Sequence, residues 1–188
     1  MNKQLSHKII FSIIIFDLVW AAMAAVYDWE IFSRIPIYLW PFLVICPIFP
    51  ALLSLVWLQS LESRPNKFLL AFGAMPSVVY LFAAIIYYPT WMILNGFDWM
   101  TFGAIFWVAA YGLQGLYFLS KYCVERGQLF FVAIFLIFSL TVQYLTKTYG
   151  AQDFTNFSQT LFIAEYFIVA LFVIIFSIFL SLDRKKIH

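Results

Sequence analysis

Histidine and cysteine are scarce in this sequence, and their scarcity excludes the usual metal sites. The chain has 188 residues and only two histidines, His7 and His188, which lie near its two ends. Haem and zinc sites are built mainly from histidine and cysteine ligands, so we expect neither group and no other cofactor. The two cysteines, Cys46 and Cys123, are predicted at different depths in the layout below, so no disulfide is expected between them.

Charged residues are also few, at 11% of the chain, whereas 65% of the residues are hydrophobic and 22% are aromatic. This composition lies far outside the range of soluble globular domains and is typical of a polytopic membrane protein, so the lipid bilayer is the first expected partner. A net charge of +2 with dispersed basic residues argues against a nucleic-acid partner. A helical crossing takes about 20 residues, so the chain has room for about six crossings.

The hydropathy pattern predicts an all-α polytopic membrane helical bundle that forms a single domain over residues 1–188. The transmembrane helices are predicted at residues 9–27, 38–61, 68–88, 99–119, 129–145 and 160–182. The second span contains Pro41, Pro47 and Pro50. Because proline removes a backbone donor and clashes with the preceding turn, we expect this span to be broken at these residues.

The distribution of lysine and arginine predicts the orientation of the bundle. In this layout nine basic residues share the side of the N terminus, namely Lys3, Lys8, Arg64, Lys67, Lys121, Arg126, Arg184, Lys185 and Lys186. Only Arg34 and Lys147 lie on the opposite side. Cytoplasmic loops carry the excess of basic residues, so both termini are predicted to be cytoplasmic and the protein to reside in the cytoplasmic membrane.

Asp17 interrupts the first apolar run and is the first candidate for a functional site. An acid within the hydrocarbon costs about 2.5–3.5 kcal/mol on insertion scales, and such residues often serve an ion, proton or substrate path. The alternative is a structural carboxyl group that hydrogen-bonds within the bundle. Helical spacing places Asp17 on one face with the small residues Ala21 and Ala24, so we expect this face to point inward.

We expect Asp17 to lie beside polar or aromatic groups of the fourth helix or the sixth. The candidates are Trp107, Tyr111 and Gln114 in the fourth helix and Glu165 in the sixth. No lysine or arginine falls within a predicted span, so inward-facing acids would favour a cation or a proton over an anion. The alternatives are core packing for Trp107, interhelical hydrogen bonding for Gln114 and a solvated position near the membrane surface for Glu165.

Several short motifs follow one another along most of the chain in a characteristic order. They are an aromatic turn (Tyr27, Trp29), a proline (Pro36), a Pro-x-x-Pro element with a following alanine (Pro47, Pro50, Ala51), and Leu-Gln-Gly-Leu-Tyr at 113–117. With this pattern the chain resembles the uncharacterised prokaryotic multi-pass membrane protein family that includes YpjA. The resemblance implies a shared helical scaffold and carries no established activity.

The chain departs from that family at two places where the family carries polar groups. The family's Pro-x-x-Pro element usually holds an acid and a hydroxyl between the prolines, where this sequence has Ile48 and Phe49. Its fourth helix carries a histidine about two turns before the glutamine, where this sequence has Val108. The resemblance therefore implies the scaffold but not any chemistry of those polar residues.

Three classes of function are open on the sequence alone. The preferred one is a structural, assembly or accessory membrane component, which predicts membrane-protein partners or a homo-oligomer. The second is a carrier or channel-like protein for a proton, a cation or a small apolar molecule, acting through Asp17. The third is an intramembrane enzyme acting on a lipid or isoprenoid. It would need a second acid or base converging on one pocket, and the scarcity of histidine disfavours it.

Overall fold

The structure is a computed structural model of the chain. It describes residues 3–27, 29–34, 36–40, 45–62, 65–122, 124–146, 148–149 and 152–153, together with the single positions 167, 170, 171, 174, 175 and 178. Those single positions are helical and lie within the predicted sixth span, 160–182, most of which falls outside the described residues.

The described chain is almost entirely helical. Its helices are α1 (Lys3–Tyr27), α2 (Trp29–Arg34), α3 (Ile45–Glu62), α4 (Lys67–Phe82), α5 (Tyr88–Asn95), α6 (Trp99–Lys121) and α7 (Arg126–Thr146). A 3₁₀ turn at Ile37–Leu39 precedes α3, and a π-helical turn at Ala83–Tyr87 joins α4 to α5. The short strands β1 (Thr148–Tyr149) and β2 (Gln152–Asp153) pair antiparallel after α7, between the fifth and sixth predicted spans.

Four helical stretches in the described residues are long and apolar enough to cross a membrane. They are His7–Val26, Lys67–Asn95, Trp99–Lys121 and Gly127–Thr146, and the apolar stretch Pro47–Glu62 is shorter. The sequence prediction of a helical membrane bundle is therefore confirmed. These stretches also match five of the predicted spans in order along the chain.

The break predicted in the second span does not occur at Pro50. Pro50 lies inside α3, which is continuous from Ile45 to Glu62, and Pro47 lies in the first turn of this helix. The first N–H groups of a helix have no acceptor within it, so Pro47 removes nothing that the helix uses. Pro50 removes one backbone hydrogen bond near the start of the helix. Burial of Leu53 and Val56 on the following turns offsets this loss. Pro41 lies outside the described residues.

The helix that contains the third predicted span, 68–88, extends beyond the end of that span. The helix continues through the π-helical turn and Pro89 to Asn95, over 29 residues in all. A proline ring clashes with the carbonyl of the fourth preceding residue, and a π-helical turn widens the backbone at that place. The helix ends at Gly96, whose φ of +94° is strained for any residue with a side chain.

The helix α4 lies at the centre of the described bundle. It packs against α3, α6 and α7, while α1 packs along α3. Glycine allows the close approach of α4 and α6, because a Cβ built on Gly115 would lie 2.4 Å from the carbonyl oxygen of Ala74. Small residues at helix interfaces are the usual means of close packing in a bilayer. Two buried serines of these helices, Ser54 and Ser77, bond their own helix carbonyls at 3.0 and 2.7 Å.

The polar ends of the helices are stabilised by local bonds. Lys67, at the start of α4, forms an ion pair with Glu125, just before α7, so these two connections lie at the same end of the bundle. At the opposite end, Asp98 caps α6 by accepting the backbone N–H of Thr101 at 2.8 Å and its hydroxyl at 2.8 Å. The bond from the Thr101 N–H lowers the pKa of Asp98 below its ordinary value.

Candidate functional site

Asp17 is fully buried in the bundle, with 0% of its surface exposed. It shares a buried stripe of α1 with Ile14, Ala21 and Ala24, whose spacing follows the helical repeat. The other face of α1, including Ile15 and other large apolar side chains, is exposed. The acid therefore points inward along the face that the sequence analysis assigned to the bundle interior.

Gln114 connects Asp17 to a third helix through its side-chain amide. Its Nε2 donates to Oδ1 of Asp17 at 2.9 Å, and its Oε1 accepts the indole Nε1–H of Trp57 at 2.7 Å. Trp57 belongs to α3, Gln114 to α6 and Asp17 to α1. We call Trp57, Gln114 and Asp17 the polar chain, and it joins three helices that are far apart in sequence.

Trp57 is the member of the polar chain that the sequence analysis missed. The sequence offered no signal for it, because Trp57 lies four residues before the end of the predicted span 38–61, where tryptophan is common in membrane proteins. A buried indole N–H needs an acceptor. The ring also stacks on Tyr117, with centroids 5.4 Å apart, and meets Phe118 edge-on at 4.5 Å.

Aromatic rings pack between α1 and α6 beside the turn of α1 that holds Asp17. Trp107 stacks on Phe16 with centroids 4.2 Å apart and on Trp20 at 4.8 Å. The helix α1 packs along α3, so it reaches α6 through long side chains such as these. We call Phe16, Asp17, Trp20, Trp107 and Gln114 the α1–α6 seam. Trp20, Trp107 and Gln114 are half-buried there, whereas Asp17 is fully enclosed.

The second carboxyl oxygen of Asp17 has no hydrogen-bond partner within the part of the chain that the structure describes. Oδ2 is buried, whereas Oδ1 receives the Gln114 amide. A buried oxygen left unpaired costs about 1–3 kcal/mol, more if it is charged. Oδ2 is therefore the atom of the site with unused capacity to bind a proton or a hydrogen-bond donor.

The other candidate residues have different positions. Tyr111 is buried on α6 with 5% of its surface exposed, one turn before Gln114, and Trp107 lies two turns before it. Glu165, the candidate of the sixth helix, lies outside the described residues. The structure thus brings Gln114 into contact with Asp17, and Trp107 into contact with the neighbouring Trp20 of α1. Tyr111 lies on the same helix as Gln114 and Trp107.

The site carries one carboxyl group, one amide and several aromatic rings. No cluster of three or more histidine, cysteine, aspartate or glutamate side chains suited to a metal ion occurs among the residues described. A single carboxyl group can exchange a proton or bind a monovalent cation.

Comparisons of the chain with protein-family models, with curated proteins and with solved structures found no match.

Proposed function

We propose that the chain is a structural or accessory component of the cytoplasmic membrane, with six spans and both termini in the cytoplasm. The observation that supports this role is the polar chain, in which Trp57 and Gln114 donate within the bundle and join α3, α6 and α1. Interhelical hydrogen bonds are a common means of helix association in lipid. The motif order supports the further proposal that the chain is related to the family that includes YpjA.

The proposed topology is supported by the contacts at the helix ends. Lys67 and Glu125 pair across two connections that six alternating spans would place on the same side. The capped start of α6 at Asp98 belongs to the opposite side in this arrangement. With the basic residues concentrated on the side of Lys67, that side is the cytoplasmic one.

Cysteine labelling tests the topology. In a variant whose native cysteines are replaced by serine, Asn95→Cys should react with a membrane-impermeant maleimide added to intact cells, because Asn95 is exposed at the outer end of α5. Glu62→Cys should react only after the cells are opened. Labelling of Glu62→Cys in intact cells, with Asn95→Cys protected, would show that the orientation is the reverse of the proposed one.

The mass of the solubilised particle tests the accessory role. The chain alone has a mass of 22.0 kDa, so a component of an assembly should be recovered from gentle detergent in a particle of at least twice that protein mass. Light scattering with separate protein and detergent signals measures this quantity. A uniform monomer, in the native membrane as well as in detergent and with no cross-linked neighbour, is the contrary result.

The second candidate function is a carrier for a proton or a monovalent cation. It is favoured by one observation, the buried Oδ2 of Asp17, which has no partner among the described residues. A purely structural carboxyl group would be expected to use both oxygens. Under this candidate Asp17→Asn would fold normally, since asparagine can still accept the Gln114 amide, but would lose cation-dependent or proton-dependent flux in vesicles.

A further inference from the structure

Lys121 and Lys67 lie at the same end of the bundle, but their surroundings differ. Lys67 pairs with Glu125, which follows Lys121 by four residues. Lys121 instead donates from Nζ to the hydroxyl oxygen of Tyr117 at 2.9 Å, and its Nζ lies 5.3 Å from the centre of the Tyr122 ring. Tyrosine carries no charge at neutral pH. Within the described chain, the positive charge of Lys121 therefore has no carboxylate as its counter-charge.

The ammonium group of Lys121 and the hydroxyl group of Tyr117 retain donors for a further acceptor. An ammonium group has three N–H donors, and the Tyr117 oxygen takes only one of them. Because that oxygen accepts from Lys121, the hydroxyl proton remains available, and no residue that the structure describes accepts it. The nitrogen and oxygen that carry these donors are 2.9 Å apart, so a single anionic group can accept from both.

Packing fixes the two aromatic rings that hold Lys121. The Tyr117 ring stacks on the buried Trp57 of the polar chain, with centroids 5.4 Å apart. The Tyr122 ring stacks on the fully buried Phe118 at 6.1 Å. A long side chain loses conformational freedom when it binds a ligand, and this loss lowers affinity. The loss is smaller for Lys121, because its ammonium group already contacts two rings that are in place.

These donors lie where a membrane-spanning stretch ends, beside a surface that faces lipid. Lys121 is the last residue of the apolar stretch Trp99–Lys121, and lysine and tyrosine at such ends lie near the lipid head groups. On the preceding turns of α6, Leu113 and Leu116 are 62% and 37% exposed. Helical spacing places Leu113, Tyr117 and Lys121 on one face. An anionic head group with an apolar tail matches both parts of this face.

The single positive charge favours a ligand with a single negative charge. Net charge beside hydrocarbon is costly, so a doubly charged head group would leave one charge uncompensated. A zwitterionic head group carries its own cation, which competes with Lys121 for the phosphate. A phosphodiester with an uncharged head group has one negative charge and two free oxygens, one for the ammonium group and one for the Tyr117 hydroxyl.

We propose that Tyr117 and Lys121 bind the phosphate of a glycerophospholipid with one negative charge, whose acyl chains lie against Leu113 and Leu116. The ammonium group would neutralise the phosphate and donate to one oxygen, and the Tyr117 hydroxyl would donate to the other. In the proposed topology this end of the bundle is the cytoplasmic one, where anionic lipids give the membrane surface its negative potential. Such a site involves neither Asp17 nor a partner protein, so it is independent of both candidate functions above.

Native mass spectrometry of the purified full-length protein tests the site. Titration in detergent with dioleoyl phosphatidylglycerol gives the apparent dissociation constant of the first bound lipid. We expect this lipid to bind at least tenfold more tightly than dioleoyl phosphatidylcholine, and this preference to fall below twofold in Lys121→Gln.

Lys67→Gln is the matched control, because it removes the same charge from the same end of the bundle and should keep the preference for phosphatidylglycerol. A preference that survives in Lys121→Gln, or is absent from the wild type, would overturn the proposal. An equal loss in Lys67→Gln and Lys121→Gln would show attraction by net charge alone and would contradict a site at Lys121.

The hydroxyl group is tested separately. Tyr117→Phe keeps the ring that stacks on Trp57 and removes the second donor, so the affinity for phosphatidylglycerol should fall several-fold. Tyr38→Phe, at an exposed tyrosine in the 3₁₀ turn before α3, should leave this affinity unchanged. Equal affinity in Tyr117→Phe and Tyr38→Phe would contradict the role given to the Tyr117 hydroxyl.

Competition with glycerophosphoglycerol, the head group without acyl chains, distinguishes a lipid from a soluble phosphate ester. At ten times the lipid concentration it should displace less than a tenth of the bound phosphatidylglycerol, because it lacks the chains that contact Leu113 and Leu116. Displacement of half of the lipid at equal concentration would show that the site recognises a free phosphate ester and would overturn its assignment to a lipid.

Discussion

Replacing Gly115 by alanine is expected to destabilise the bundle by about 3 kcal/mol, at the upper end of the usual cost of overpacking. The new Cβ would lie 2.4 Å from the carbonyl oxygen of Ala74, 3.0 Å from Cγ2 of Val78 and 3.2 Å from Cβ of Ser77. The nearest of these atoms belongs to the backbone of α4 and cannot turn aside, so α4 and α6 must separate. The free energy of unfolding, measured in mixed micelles of rising dodecyl sulfate content, checks this expectation.

Gly103→Ala on the same helix is the matched control. No atom lies within 4 Å of a Cβ built on Gly103, so this change should be neutral or should stabilise the protein by up to about 1 kcal/mol, because alanine favours the helix. If Gly115→Ala proved as stable as Gly103→Ala, the close approach of α4 and α6 at this glycine would be disproved. A loss in both variants would indicate an effect of helix α6 itself rather than of its packing.

Gln114→Leu should cost about 2–4 kcal/mol of stability, because it leaves two buried polar groups without partners. The substitution removes the acceptor of the Trp57 indole at 2.7 Å and the donor to Oδ1 of Asp17 at 2.9 Å. Interhelical hydrogen bonds in membranes contribute about 0.6 kcal/mol on average and up to about 1.7 kcal/mol each. The carboxyl group of Asp17 adds to this cost, because both of its oxygens would then be buried with no partner among the described residues.

The double variant Asp17→Leu with Gln114→Leu separates the contribution of the hydrogen bonds to stability from the contribution of side-chain packing. Replacing both partners by apolar groups of similar size is often nearly neutral, so the double variant should recover part of the stability lost in Gln114→Leu. The same dodecyl sulfate titration measures all variants. A double variant less stable than Gln114→Leu, or a Gln114→Leu protein equal to the wild type, would show that the polar chain does not join the helices.

The class of the protein and the inward orientation of the Asp17 side chain could be predicted from the sequence. Composition and run length determine that the chain must bury its backbone polar groups in helices, because lipid offers them no partner. The same reasoning predicts that Asp17 faces the bundle interior, since small residues share its helix face and lipid cannot hydrogen-bond a carboxyl group. The start of α6 was also readable from sequence, as the polar stretch ends at Asp98.

The ends and breaks of helices could not be read from proline alone. Pro50 and Pro89 both lie inside continuous helices, although each removes one backbone donor. The free-energy cost of a proline is confined to about one turn of the helix, whereas burial of a whole helix face stabilises the helix over many residues. Before Pro89 the backbone relieves the clash of the proline ring through a π-helical turn.

The polar chain was decided by the tertiary structure. Sequence reasoning proposed polar and aromatic groups of the fourth helix as neighbours of Asp17, but it could not say that Gln114 would be the one to contact the acid or that Trp57 would join them. Contacts between helices depend on how closely the backbones approach and at what height, and here glycine at 115 sets the approach of α6 to α4. Among the residues that the structure describes, Oδ2 of Asp17 has no partner, because Gln114 has one amide group and divides its two polar atoms between two helices.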